Sequence, residues 1–219
     1  MGEPVHVLIV EDQGTLADAL RLALGLDAEL HVVATAGTAA DAVRLARTHR
    51  PQVVLMDHFL PDGTGVEATT AIRQELPGTA VVMLTGGATD DVMLAAIEAG
   101  VSGYLLKTEP ADAIATAVRR AAAGEMLVPA ATLAALLARG RERARRQVAQ
   151  GQQAASLTAR EREVLALMAK GVDTHAIAER LHISINTARG YVQNIIEKLG
   201  AHSRLEAVLR ANEAGLLDL

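Results

Sequence analysis

Three carboxylates, Glu11, Asp12 and Asp57, each stand just beyond a short apolar run, "HVLIV" for the first two and "VVLM" for the third. If those runs are neighbouring strands of a parallel sheet, the acids meet at one edge. Like charges a few ångströms apart repel strongly unless a cation joins them or one takes up a proton. A hard divalent ion, Mg2+ first among them, answers that need with oxygen ligands and retained waters. Thr85 follows "AVVML" and Lys107 follows "GYLL", so both are expected on the same rim. A cation, an ammonium and a hydroxyl can each take one oxygen of a phosphoryl group. Singly, such residues are ordinary turn formers; the chemistry comes from sharing a rim.

The elements that must hold them can be read from two periodicities. Residues His6 to Val10, His31 to Ala34, Val53 to Met56, Ala80 to Leu84 and Gly103 to Leu106 are β-branched or continuously apolar and read as strands. Between them Leu16/Leu20/Ala23/Leu24, Ala39/Val43/Ala46, Val92/Ala95/Ala96/Ala99 and Ile114/Val118/Ala121 recur at helical spacing. Strands apolar on both faces belong in a parallel sheet covered by helices on each side. The expected fold is therefore an α/β doubly wound five-stranded parallel sheet of order 2-1-3-4-5, with functional groups beyond the carboxyl ends of the strands.

Past Gly124 the pattern changes. Residues 1–124 hold eight basic and sixteen acidic residues, a balance of -8, and residues 125–219 hold thirteen and ten, a balance of +3. The acidic half disfavours polyanions and suits a cation or a basic partner, whereas the basic half can meet phosphates. Three segments are expected: 1–124, a basic and partly helical linker over 125–155, and a small all-α four-helix domain over 156–219. There is no cysteine, which excludes disulfides, thiolate metal sites and cysteine nucleophiles. The apolar runs fall short of the roughly 18 residues of a membrane span, and the chain runs into its first strand without a signal-peptide pattern. The expected location is cytoplasmic, with no membrane partner.

In the last segment Thr158 stands three residues ahead of Glu161 as a capping box before Val164/Leu165/Met168. "THAIAERL" and "SINTARGYVQNIIEKLG" are joined through the turn His182 to Ser184, the spacing of a helix-turn-helix. Ala188, Val192, Ile195 and Leu199 should face the core, leaving Asn186, Arg189, Gly190, Gln193 and Glu197 outward. Arg, Asn and Gln can read base edges in the major groove. Gly190 inside the helix costs on the order of 1 kcal/mol against Ala, which points either to a helix firmed up by DNA or to a close backbone contact.

The set "VEDQ", "MDHFLPDG", "MLTGG" and "GYLLK" resembles the receiver domain of two-component response regulators. The segments "LTARERE", "IAERL", "NI" and "KL" with their spacing resemble the LuxR-type DNA-binding domain. Together they look like a NarL/FixJ-type response regulator over nearly the whole chain. That resemblance implies that a histidine kinase phosphorylates Asp57, that Glu11, Asp12 and Asp57 hold Mg2+ with the backbone carbonyl of Phe59, and that Lys107 pairs with the phosphate. It implies that Thr85 and Tyr104 form a switch pair. It also implies that Asn186, Thr187, Arg189, Gly190, Gln193 and Lys198 contact double-stranded DNA, and that Ala207, Val208 and Ala211 join two copies on a two-half-site operator. The expected protein is a DNA-binding regulator and not an enzyme, beyond slow loss of its own phosphate.

Two alternatives stay open. The receiver could serve only for dimerisation or ligand sensing in a phosphorylation-independent transcription factor, or the same acids could serve a metal-dependent phosphatase. One motif is discounted: "GTGVEA", Gly63 to Ala68, satisfies the dinucleotide pattern G-x-G-x-x-A, but it follows the third strand and not the first. His58 is expected to be a bystander, and Pro61, Asp62 and the glycines to turn the chain into the third helix.

Overall fold

A computed structural model describes residues 3–87, 90–128, 133–134 and 157–217, without the side chains of Asp90 and Asp91. It divides into two compact units, residues 1–127 and 128–219. Of the expected linker 125–155, residues 129–132 and 135–155 lie outside the described residues.

The first unit alternates β1 (Val5–Val10), α1 (Gly14–Gly25), β2 (Leu30–Ala36), α2 (Ala39–His49), β3 (Val53–Asp57), a two-residue pair β4 (Phe59–Leu60) and β5 (Gly63–Thr64), α3 (Gly65–Glu75), β6 (Ala80–Thr85), α4 (Asp90–Glu98), β7 (Gly103–Leu106) and α5 (Ala111–Ala122). The sheet order is β2-β1-β3-β6-β7, all parallel, which is 2-1-3-4-5 counted along the sheet. The small antiparallel hairpin β4–β5 has no counterpart in the sequence reading, because two-residue strands carry no periodicity.

All of β3 and β6 is buried, as expected of strands covered on both faces. One face packs Val7, Ile9, Leu55, Val82 and Leu84 against Leu20 and Leu24 of α1 and Ile114 and Val118 of α5. On the other, α2 and α3 lie side by side. Registers Ile9↔Leu55 and Leu55↔Val82 then bring the carboxyl ends of β1 and β3 level, and that levelling places the acids.

The second unit contains α6 (Ala159–Ala169), α7 (Thr174–Arg180), α8 (Ile185–Lys198) and α9 (Arg204–Glu213) among its described residues. Each begins at a short polar cap whose side chain accepts a backbone N–H: Thr158 from Glu161, Asp173 from Ala176, Ser184 from Thr187 and Ser203 from Glu206. The Thr158–Glu161 capping box is complete in both directions. Val164, Leu165, Met168, Ile177, Ala188, Ile195, Leu205 and Val208 are fully buried. Leu199, expected on the core stripe of α8, instead caps that helix and is half-buried. No described helix is long and apolar enough to cross a membrane.

Candidate functional site

Glu11 and Asp12 leave β1, and Asp57 is the last residue of β3. A ligand oxygen from each lies within 4.8 Å of the others. Glu11 and Asp57 are buried and Asp12 is exposed, so the group opens to solvent through Asp12. Lys107, just beyond β7, closes it from the other side. Its Nζ donates to Asp57 Oδ2 at 2.7 Å and to Glu11 Oε1 at 2.9 Å, with Glu11 Oε2 at 2.8 Å. That last oxygen is buried and makes no hydrogen bond despite its nearness to the ammonium.

The electrostatics follow from this crowding. Burial pushes the Glu11 carboxyl above its ordinary range against the opposing bond from Lys107, and the charge of Asp57 adds to the rise. Burial pulls Lys107 down, yet its bonds to Asp57 and Glu11 outweigh that and leave it raised, hence firmly protonated. One ammonium thus bonds two of the three carboxylates, and no bond from it reaches Asp12. The donor set is all oxygen, one acceptor is an orphan, and the open side faces water. These residues fit a hard divalent cation such as Mg2+.

Around the acids, the Phe59 N–H reaches Asp57 Oδ1 at 3.4 Å, and the Phe59 side chain is 70% exposed. Thr85 ends β6 and is buried, its hydroxyl oxygen accepting the Gly87 N–H at 3.1 Å. Gly87 takes φ 148°, a conformation few other residues adopt, so the glycine there shapes the loop around the threonine. The Lys107 N–H donates to the Thr85 carbonyl at 2.9 Å, which ties ammonium and hydroxyl to adjacent strand ends. The Tyr104 hydroxyl donates to the Met93 carbonyl of α4 at 2.6 Å, and burial raises its pKa further. Glu11, Asp12, Asp57, Thr85 and Lys107 therefore stand at the carboxyl edge of the sheet, with Tyr104 on β7 beside it.

His58 packs beside the acids. It is buried, its ring meets Phe59 edge-on with centroids 4.4 Å apart, and its carbonyl accepts the Gly65 N–H at 2.9 Å. Asp62 does more than turn the chain. Its carboxylate accepts the Ala39 and Ala40 N–H groups at 2.7 and 3.0 Å, capping α2 from 22 residues away, and those bonds hold its pKa below the ordinary carboxylate range. No local pattern announces such a cap, because the helix it serves lies in another unit of the alternation.

On the second unit, Asn186, Thr187, Arg189, Gly190 and Gln193 are all exposed on α8. Gln193 bonds Glu197 at 2.9 Å, and Thr187 bonds the Ser184 hydroxyl at 2.8 Å. Lys198 is placed differently. Its ammonium donates to the buried Glu161 carboxylate at 2.8 Å, which with the Thr158 N–H bond holds Glu161 below its ordinary range. Ala207, Val208 and Ala211 lie on α9, a helix packed against α6 and α8, and all three are buried. Small apolar residues at that spacing serve a core as readily as an interface.

Comparison with known proteins rests on the same residues. Residues 7–119 match the response regulator receiver domain, and residues 155–211 match the bacterial regulatory proteins of the luxR family. The response regulator VraR of Staphylococcus aureus is 35% identical over 214 residues, covering 98% of this chain and 99% of that one. The chain is a response regulator of the NarL/FixJ type. Among solved structures, ChrA, the response regulator of a heme-sensing two-component system, is 30% identical and covers 99% of this chain and all of its own, with a TM-score of 0.51. A NarL receiver domain from Mycobacterium tuberculosis is 30% identical over 57% of this chain and all of its own, with a TM-score of 0.55. As a response regulator with a LuxR-type domain, the protein is a two-component transcription regulator.

Proposed function

We propose that Asp57 is the phosphoacceptor of this regulator and that its phosphorylation by a histidine kinase governs DNA binding. The carrying observation is the buried cage in which Lys107 bridges Asp57 and Glu11, with Asp12 at its open side. An Asp57 oxygen attacks the phosphorus of a phosphohistidine, the P–N bond breaks, and its electron pair stays on the imidazole nitrogen. Mg2+ held by Glu11, Asp12, Asp57 and the Phe59 carbonyl would neutralise charge on the acids and the entering phosphoryl group. Lys107 exchanges its bond to Asp57 for a phosphoryl oxygen, the Thr85 hydroxyl donates to another, and Tyr104 gives up its bond to α4 as the loop after β6 moves. Hydrolysis of the acyl phosphate resets the protein, which acts on no external phosphoester.

Residues 1–124 form the receiver in this reading, 125–155 the linker and 156–219 the DNA-binding domain, working in the cytoplasm. Two copies bind a two-half-site operator through α8. Asn186, Thr187, Arg189, Gly190 and Gln193 face the duplex, and Lys198 serves chiefly to hold α8 to α6. Exposure of the first five on one helix supports the assignment.

The test is phosphoryl transfer from a small donor such as phosphoramidate. With Mg2+ the protein should take up about one phosphate per chain, and Asp57→Ala none. Beryllofluoride with Mg2+ should then raise DNA affinity. An unchanged affinity and oligomeric state in beryllofluoride would refute phosphorylation control and favour a constitutive DNA-binding protein.

A further inference from the structure

We propose that the junction of Gly103 with Leu127 is the joint through which the state of the Asp57 cage reaches the chain leading to the DNA-binding domain. The inference rests on the phosphoacceptor reading of that cage.

β7 is four residues long, Gly103 to Leu106, roughly 13 Å at ordinary strand rise. Three connections meet on it. Directly past its carboxyl end is Lys107, whose ammonium lies on Asp57 and Glu11. From its second residue the Tyr104 hydroxyl reaches the Met93 carbonyl in α4. At its amino end, residue 127 returns after α5 and forms a parallel bridge with Gly103. The Leu127 N–H donates to Ser102 O at 3.0 Å, and the Tyr104 N–H donates to Leu127 O at 2.9 Å. The backbone of Tyr104 is therefore bonded to the last residue of the first compact unit, while its side chain holds α4.

The contact is built. Leu127 is 7% exposed and belongs to the core that joins the sheet to α1 and α5. A β-carbon on Gly103 would overlap the carbonyl oxygen of Leu127 and stand 2.7 Å from its carbonyl carbon. Glycine at 103 lets the returning chain lie directly on the strand. On the other side Met83 pairs with Tyr104 and Thr85 with Leu106, so β7 is hydrogen-bonded to β6 and to the returning segment at once.

When Lys107 re-partners with a phosphoryl group and Tyr104 leaves α4, β7 carries both displacements. Close-packed elements of this kind switch between discrete arrangements and deform little between them. A shift of Tyr104 breaks or re-aims its N–H bond to Leu127, and the segment beyond Leu127 is set free or redirected.

The test uses the full chain with Leu127→Ala and Leu127→Met. Wild type in beryllofluoride and Mg2+ should gain about fivefold or more in DNA affinity, the lower end of ordinary coupling. Leu127→Ala should still take up phosphate on Asp57 to the wild-type level, while its affinity gain falls to about twofold or less, and Leu127→Met should recover most of the gain. A full gain in Leu127→Ala overturns the proposal. Hydrogen exchange on wild type reads the same joint without any variant. Beryllofluoride should change the protection of the Tyr104 and Leu127 amides together, and both staying constant while α4 responds also overturns it. A wild type that neither takes up phosphate nor gains affinity instead defeats the phosphoacceptor reading, and this inference with it.

Discussion

Gly65→Ala separates packing from ligand binding at the glycines that follow Asp57. Gly65 opens α3 against the end of β3. A β-carbon there would overlap the Asp57 carbonyl oxygen, stand 2.9 Å from Met56 Cγ and 3.1 Å from the Asp57 carbonyl carbon. Ordinary contact at about 3.4 Å or more requires α3 and the strand to part by at least roughly half an ångström. The carbonyl oxygen demands more. Overpacking of this kind costs about 1–3 kcal/mol, and at about 3–5 °C per kcal/mol for a unit of this size the receiver should melt roughly 3–15 °C lower. The strained atoms belong to the phosphoacceptor itself, so phosphoryl uptake should also slow, by up to about a hundredfold for an ångström of misplacement. Gly63→Ala is the control. Its β-carbon would meet Glu67 Oε2 at 3.1 Å and Ala39 Cβ at 3.7 Å, and the former is the movable end of a side chain. Scanning calorimetry and phosphoramidate uptake read both variants. If Gly65→Ala melts and reacts as wild type does, the steric argument is wrong.

Two further outcomes follow from the buried carboxylates. Burial raises Glu11, so its neutral form favours the folded state: that contribution is complete below its ordinary value of 4.5 and is lost as pH rises through the raised folded value. Glu11→Gln should therefore melt higher than wild type in EDTA near neutral pH and gain less from Mg2+, where wild type gains about 2.7 kcal/mol at a hundredfold excess over Kd; a lower melting point in EDTA would contradict this. Glu161 has the opposite sign. Its lowered pKa adds stability above about 4.5 that is lost as pH falls through the folded value. Lys198→Ala should flatten that acid dependence and leave the salt slope of DNA binding unchanged, whereas loss of a phosphate contact would reduce the slope by about 0.9.

Much of the fold was legible because burial on both faces of a parallel sheet writes itself as continuous apolar runs. "VVLM" and "AVVML" needed no partner to be recognised as strands, and the caps Thr158, Asp173, Ser184 and Ser203 act within three residues of themselves. The acids were legible as strand-end residues, and their convergence followed from the strand order. Long-range partners were not legible. Nothing near Asp62 signals that it caps α2, nothing near Lys198 signals Glu161 at a separation of 37 residues, and Ala207, Val208 and Ala211 look alike whether they line a core or an interface.

By itself the sequence determined which residues have chemistry and which segments alternate, since hydropathy, capping and turn preferences act over a few neighbours. Only the tertiary structure decided which groups share a charge, which glycine must yield space, and where the chain returns to the sheet. Lys107 lies 96 residues from Glu11 and 50 from Asp57, and Leu127 meets Gly103 only after a whole helix has intervened. Those pairings come from the register of parallel strands and the closeness of core packing, which exist only once the separate segments are brought together.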